Sequence, residues 1–187
     1  MSKFIAFTFV LLFIFSCKQE QKKTDEDPLL IVDQLFDVPS RKNFLDQIHK
    51  DDAHWRELLL ITDRHITKDS PQYDSLFQNL MRTDELNKKK VETYLKRFSY
   101  PDVDTFGVQA ALTPWLVMHH FYHVPTKERY IPLFMKAMQD GNITTMDMVF
   151  YLNGIYNLKN KHLIEFSESS TPSEKLKIVM DSLKIVF

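Results

Sequence analysis

Apolar residues recur at helical spacing along most of the chain. The C-terminal segment is typical, because its apolar residues fall at i, i+3, i+4 and i+7, namely Leu176, Val179, Met180 and Leu183. No two segments alternate in the manner of paired strands, and only PLLIVDQLF (28–36) fits either a short strand or a first helix. The pattern therefore predicts an all-α fold, with about six or seven helices in one domain over residues 29–187.

Capping residues predict where these helices begin and end. Serine or threonine precedes a helix-forming segment at Ser70, Thr144 and Thr171, and Gly141 follows another segment as a stop signal. Two further starts are expected at Ser40 and Thr126. The helix after Ser40 is expected either to continue or to break near Asp51 and Asp52. In the most apolar segment, 108–123, Pro114 either starts the helix or kinks it.

The N-terminal residues differ from the rest of the chain and predict a secretory leader. Lys3 gives a positive start, and residues 4–15 are an apolar stretch too short to span a bilayer comfortably. Ser16 then precedes Cys17, the only cysteine, in an arrangement that resembles a bacterial lipobox. The resemblance implies a signal peptide over 1–16 and acylation of Cys17. An ordinary signal peptide with an incidental cysteine, or a weak anchor helix, would account for the same residues.

The segment after Cys17 predicts a tether. Residues 18–28, KQEQKKTDEDP, are charged and contain no aliphatic or aromatic side chain, so they cannot bury apolar surface. We therefore expect residues 17–28 to link the lipid anchor to the helical domain. The expected location is the bacterial cell envelope, on a membrane, facing the periplasm or the cell surface.

Composition excludes several classes of function. The chain contains only 3 glycines, which argues against a glycine-rich phosphate loop. Its formal charge is −1 and its basic residues form no block, so no nucleic-acid partner is expected. A single cysteine excludes an internal disulfide and a cysteine-rich zinc site. No cofactor is predicted.

Several residues between about 55 and 165 occur in an order known from another group of proteins. They are Asp63, Asp84, Asn87, Tyr100 with Pro101, Gly107, Ala110 with Ala111, His120, Gly141 and the segment YLNGIY (151–156). Their order resembles an uncharacterised family of bacterial helical proteins, known only as a domain of unknown function. The resemblance implies a helical fold and carries no activity with it.

The chain departs from that family at several polar positions. The family's Asp-Gln-x-x-Arg is matched at 63–67, DRHIT, only by its aspartate. Further departures are Ser99 for glycine, His119 for glutamine, Tyr122 for an acidic residue, and Asn153-Gly154 for Asp-Arg. The loss of these polar residues weakens an enzymatic interpretation.

Three histidines at the end of the apolar helix are the main candidates for chemistry. His119 and His123 are spaced i, i+4, which is a workable two-ligand spacing for zinc, although no HExxH motif is present. Histidines near a helix C-terminus also interact favourably with the helix dipole, and this structural interpretation is preferred. His120 is the best single functional candidate, and we expect Asp63 or Asp84 to flank it and orient its ring.

Two functions follow from these residues. The preferred one is a non-catalytic envelope lipoprotein that binds a protein partner or a small ligand near His119, His120, His123 and Tyr100. The alternative is a hydrolase-like or metal-assisted enzyme that uses His120 with Asp63 or Asp84. The alternative requires a carboxylate within hydrogen-bond reach of the imidazole, inside a concave pocket.

Overall fold

The computed structural model describes residues 27–63 and 67–186, which form an all-α fold. The described residues contain eight helices: α1 (Pro28–Asp33), α2 (Val38–Thr62), α3 (Pro71–Phe98), α4 (Val103–Phe106), α5 (Val108–His120), α6 (Val124–Gln139), α7 (Thr145–Asn160) and α8 (Pro172–Leu183). No described residue lies in a strand, so 28–36 contributes a helix. The additional element is α4, a single turn between α3 and α5. The predicted leader, the acylated Cys17 and nearly all of the predicted tether lie outside the described residues.

Three helix starts are as predicted. Ser70, Thr144 and Thr171 each accept a hydrogen bond from the backbone three residues on, and the last two form capping boxes. Gly141 adopts a positive φ of 81° just after α6, which fits its predicted role as a stop.

Two predicted starts are wrong. Asp37, not Ser40, caps α2, and Ser40 is the third residue of the helix, bonded back to Asp37. α6 begins at Val124 behind His123, because Pro125 fits the first helical turn and its missing N–H costs nothing there. Thr126 therefore lies inside α6.

Two alternatives that the sequence left open are resolved by the packing. α2 continues through 51–52 without a break, and Asp52 is buried there and contacts His120 of α5. Pro114 lies inside α5 and does not start it.

The core is centred on α5 and α7. α5 contacts α2, α3, α4, α6 and α7, and α8 packs against α7 through the buried Val179. The most deeply buried apolar side chains are contributed by six helices and include Leu45, Val91, Met118, Phe134, Leu152 and Val179. Burial of these side chains is the main stabilising contribution to the fold.

The α2–α3 pair extends beyond the core. α5 ends at His120, which contacts Asp52 in the middle of α2. Beyond this point, no described residue between 53 and 79 is buried. The second half of α2 and the first half of α3 therefore form a projecting helical hairpin. In the part of the chain described, none of the helices combines the length and apolarity needed to cross a membrane.

Candidate functional site

Four side chains from three helices form a hydrogen-bonded ionic network. Nδ1 of His120 lies 3.1 Å from Oδ2 of Asp52, and Nε of Arg56 donates to the same oxygen at 3.2 Å. An Nη atom of Arg56 also donates to Asp84 at 2.6 Å. The order Asp84–Arg56–Asp52–His120 is called the network below.

Helical periodicity explains how the network assembles. Asp52 and Arg56 are four residues apart and share one face of α2. Asp84 lies on the facing side of α3, and His120 is the last residue of α5. Because α5 ends there, the His120 ring is positioned at the edge of the core, with about a quarter of its side chain exposed.

Burial and pairing act against each other on the carboxylates. Burial alone would raise the pKa of Asp52, but the hydrogen bonds and charges of His120 and Arg56 outweigh it and leave that pKa lowered. Burial raises the pKa of Asp84, and the nearby charge of Asp52 raises it further, while Arg56 offsets only part of the shift. Asp52 is therefore the firmly ionised partner of His120.

The second ring nitrogen of His120 is available. Its Nδ1 contacts Asp52, and no described residue hydrogen-bonds to its Nε2. When Nδ1–H donates to the carboxylate, a neutral ring presents the Nε2 lone pair, and a protonated ring presents an Nε2–H donor. The arrangement can fix a ligand's polar group or accept a proton from it.

A second polar group lies beside the network. His119 stacks on Trp115 with ring centroids 4.9 Å apart, and its buried Nδ1 has no hydrogen-bond partner among the described residues. Lys127, only 2% exposed, donates from Nζ to the backbone carbonyl of His119 at 2.6 Å. Its Nζ also lies 4.9 Å from the centre of the Tyr151 ring.

Burial disfavours the charged form of both side chains. It lowers the pKa of Lys127 to about 8. It also lowers the pKa of His119 to about 4, with help from the charge of Lys127. His119 is therefore neutral at pH 7, and it contributes a packed ring and not a charge.

Exposed apolar side chains continue the two helix faces that carry the network. Leu60 lies four residues beyond Arg56 on α2, while Phe77 and Met81 precede Asp84 by seven and three residues on α3. Their exposed fractions are 60%, 45% and 36%. Leu60, Phe77 and Met81 are called the apolar shelf below. Exposed apolar residues grouped around a polar centre are typical of an interaction surface.

Neither of the two predicted acids pairs with His120. Asp84 joins the network through Arg56 and does not contact His120 directly. Asp63 does not pair with His120, because it follows the last residue of α2 and its carboxylate lies 3.6 Å from Lys68. The prediction of Asp63 as the orienting acid is therefore wrong.

Asp52 and Arg56 were missed by the sequence interpretation. The spacing Asp-x-x-x-Arg, sought at 63–67, occurs at 52–56 in DAHWR. An i, i+4 acid–base pair in a segment that otherwise predicts a buried helix was the available signal. The structure shows that this pair, and not Asp63, lies beside His120.

The remaining predicted binding residues, His123 and Tyr100, lie in different surroundings. His123 is outside α5, is exposed and contacts the Thr126 hydroxyl at 2.9 Å, so His119 and His123 do not share a helix face. The Tyr100 hydroxyl is buried and its ring packs against Phe134, so this side chain contributes to core packing. Within 27–63 and 67–186, no group of three or more histidine, cysteine or acidic residues is placed to hold a metal ion.

Two cavities lie elsewhere on the molecule. One, of about 350 Å³, is lined by Ser169, Ser170, Glu174, Lys177 and Ile178. The other, of about 170 Å³, lies between α1 and α3. Neither contains a network residue, so the candidate site is a surface and not one of these cavities.

No protein-family model matches the chain, and no curated protein or solved structure matches it either. The resemblance to the uncharacterised bacterial family therefore stays a prediction. Function has to be argued from the network, the apolar shelf and the N-terminal sequence.

Proposed function

We propose that this protein is a bacterial envelope lipoprotein whose helical domain is a non-catalytic binding module. Its anchor would be the acyl chains on Cys17, and its binding surface would be the exposed end of the network together with the apolar shelf. The observation that carries the binding surface is the position of His120. Its Nδ1 contacts Asp52, while its Nε2 has no partner among the described residues.

The network is suited to recognition because it holds His120 in one orientation. Asp52 is 2% exposed and Asp84 is 5% exposed, and Arg56 contacts both. A satisfied buried network of this kind is rigid, so a partner does not have to order it on binding. The neutral ring offers an Nε2 acceptor, which fits a hydroxyl or an amide N–H on the partner.

The apolar shelf favours a protein partner over a small polar ligand. Leu60, Phe77 and Met81 are exposed on a projecting pair of helices, where a partner's apolar side chains could be buried. Apolar contacts beside a few oriented polar groups are the usual composition of a protein–protein interface. The partner would be another envelope protein, because the anchor restricts the domain to the membrane surface.

The binding surface can be tested by comparing matched variants in pull-downs with the native lipidated protein. Leu60→Ser with Phe77→Ser should reduce capture of the partner by at least tenfold, and His120→Gln should also reduce it. Leu163→Ser is the control, because Leu163 is 56% exposed and lies after α7, outside the shelf. Equal capture by all variants would contradict the proposed surface.

The anchor is supported by the order of the N-terminal residues. A positive start, the apolar stretch 4–15 and Ser16 precede the single cysteine. Each acyl CH₂ that enters the membrane contributes about 0.8 kcal/mol, so more than one chain on Cys17 would hold the protein stably. Cys17→Ala should release the mature protein from membranes, and mass spectrometry of the wild type should show acyl chains on the cysteine.

The Asp52–His120 pair also favours a second function, a hydrolase-like enzyme. An imidazole held by a carboxylate through Nδ1 is the arrangement in which Nε2 removes a proton from water or from a hydroxyl nucleophile. Turnover of chromogenic esters that is lost in both His120→Gln and Asp52→Asn, with both variants folded, would favour this function. A metal-assisted version would also require stoichiometric zinc or iron in the purified protein.

A further inference from the structure

Exposed apolar side chains lie on α1 and just after its end. Leu29 and Leu30 on α1 are 56% and 62% exposed, and Phe36, three residues beyond the last residue of α1, is 88% exposed, whereas Val32 is buried. Large apolar side chains that are exposed so near one another in the chain are typical of an interaction surface. Leu29, Leu30 and Phe36 are called the α1 face below.

Cationic side chains border the α1 face. The cavity of about 170 Å³ between α1 and α3 is lined on the α1 side by Leu29, Val32 and Asp33, and on the α3 side by Thr93, Lys96 and Arg97. Arg97 is 64% exposed and lies 3.9 Å from Asp33, so this solvated pair leaves its guanidinium accessible to other anions. An apolar surface edged by lysine and arginine is the composition that binds anionic lipid headgroups.

The position of α1 in the chain brings this face close to the proposed anchor. Pro28, the first residue of α1, follows Cys17 by eleven residues, so the connection spans at most about 40 Å. A short tether keeps the domain at an effective concentration on the order of millimolar at the membrane. Even weak contacts between the α1 face and lipid would then be populated.

We propose that the α1 face docks onto the anionic lipid surface that holds the acyl chains of Cys17, an inference that rests on the proposed lipid anchor. Leu29, Leu30 and Phe36 enter the interfacial region of the bilayer. Lys96 and Arg97 contact lipid phosphates. The domain is therefore oriented on the membrane and does not rotate freely on its tether.

This orientation gives the candidate binding surface a defined place. Arg97 lies near the C-terminal end of α3 and Phe77 near its start, twenty residues away. Twenty helical residues span about 30 Å. Docking by the α1 face therefore holds the apolar shelf up to about 30 Å from the lipid, where a partner in the surrounding space can reach it.

The test uses the mature acylated protein, which begins at Cys17, in vesicles of phosphatidylcholine, with or without 30% phosphatidylglycerol as the anionic lipid. Phe36→Trp places a fluorophore on the α1 face, at a side chain so exposed that the substitution leaves the core untouched. Lipids brominated on their acyl chains quench a tryptophan that enters the bilayer.

Leu163→Trp is the matched control, because α7, which precedes it, has no contact with α1 or α3. The signal of Trp55 and Trp115 is subtracted with the wild-type chain.

The proposal predicts at least twofold stronger quenching at position 36 than at position 163. Adding Leu29→Ser and Leu30→Ser should reduce quenching at position 36 to the control level. Lys96→Gln with Arg97→Gln should remove its dependence on phosphatidylglycerol. Urea unfolding of each variant checks that the fold is retained.

Three results would overturn docking. The first is equal quenching at positions 36 and 163 in a protein whose mass shows the acyl chains. This result would reject docking by the α1 face and would leave the proposed lipid anchor unaffected. The second is a photo-crosslinker at position 36 that captures an envelope protein and no lipid in intact cells, because the face would then bind protein. The third is a mass without acyl chains together with no quenching at either position, which identifies failure of the anchor itself.

Discussion

Nδ1 of His120 lies 3.1 Å from Oδ2 of Asp52, although sixty-eight residues separate them in the chain. This contact ties the C-terminal end of α5 to the middle of α2. Arg56 then connects Asp52 to Asp84, so the same network reaches α3. The network is both a structural link between three helices and the fixed part of the candidate binding surface.

Asp52→Asn should lower the free energy of unfolding by about 3 kcal/mol, because removal of one partner from a buried ionic network leaves the others uncompensated. The same change should lower the pKa of Asp84, since the charge of Asp52 raises it. Urea unfolding and NMR titration of the carboxyl groups measure the two effects. Asp181→Asn is the control, because Asp181 pairs with Lys177 on the surface and should contribute under about 1 kcal/mol. Equal losses in the two variants would show that the network contributes no more than a surface ion pair.

His119→Phe should remove part of the acid sensitivity of the fold. The ring has a pKa of about 4 in the folded chain and 6.5 when unfolded, so only the unfolded chain gains a proton as the pH falls through this range. The wild type should therefore lose up to about 3 kcal/mol of stability between pH 6.5 and pH 4 through this residue. Phenylalanine can keep the stack on Trp115 and cannot titrate. Urea unfolding across this range should show a shallower slope for the variant, and an unchanged slope would contradict the prediction. His162→Gln, at an exposed histidine, is the control.

Lys127→Met should stabilise the protein at pH 7. Burial of the lysine lowers its pKa to about 8. No carboxylate is paired with it among the described residues. Removal of the buried charge should raise the free energy of unfolding by about 1 to 2 kcal/mol. This is a net value that includes the loss of the hydrogen bond to the His119 carbonyl. In the wild type, stability should rise between pH 8 and pH 10.5, because only the unfolded chain still holds the proton there. Thermal unfolding at pH 7 and pH 10 should show this rise in the wild type and should not show it in Lys127→Met. Lys159→Met, at a half-exposed lysine paired with Glu128, should preserve it.

Gly154→Ala and Gly141→Ala should have opposite effects on stability. Gly154 lies inside α7, where an added Cβ would meet Nζ of Lys127 at 3.5 Å, an ordinary contact. Alanine should therefore raise the free energy of unfolding by about 0.5 to 1 kcal/mol through its helix propensity. Gly141 has a φ of +81°, so alanine there should cost about 1 kcal/mol or more. Chemical denaturation of both variants measures the two changes in the free energy of unfolding. Destabilisation by Gly154→Ala would contradict the prediction and would show that the added Cβ does not fit beside Nζ of Lys127.

The fold was predictable from sequence to the extent that its signals are local. Ser70, Thr144 and Thr171 cap helices by bonding to residues three positions away, and this geometry depends only on the adjacent chain. The starts of α2 and α6 were misplaced because two residue types competed at each end. Asp37 caps α2 three residues before Ser40, and α6 begins at Val124, with Pro125 in its first turn and Thr126 already inside the helix.

The sequence by itself determined the helical class, the starts of α3, α7 and α8 and the end of α6, and it singled out His120 and Asp84 as candidates. Periodicity, caps and residue chemistry are properties of short segments and can be found without coordinates. Only the tertiary structure decided that Asp52 holds His120, that Asp63 lies apart, and that His119 and His123 point to different neighbours. The physical reason is that these contacts depend on which helix faces pack against each other. The pairing of helix faces involves residues far apart in the chain, so no local sequence pattern predicts it.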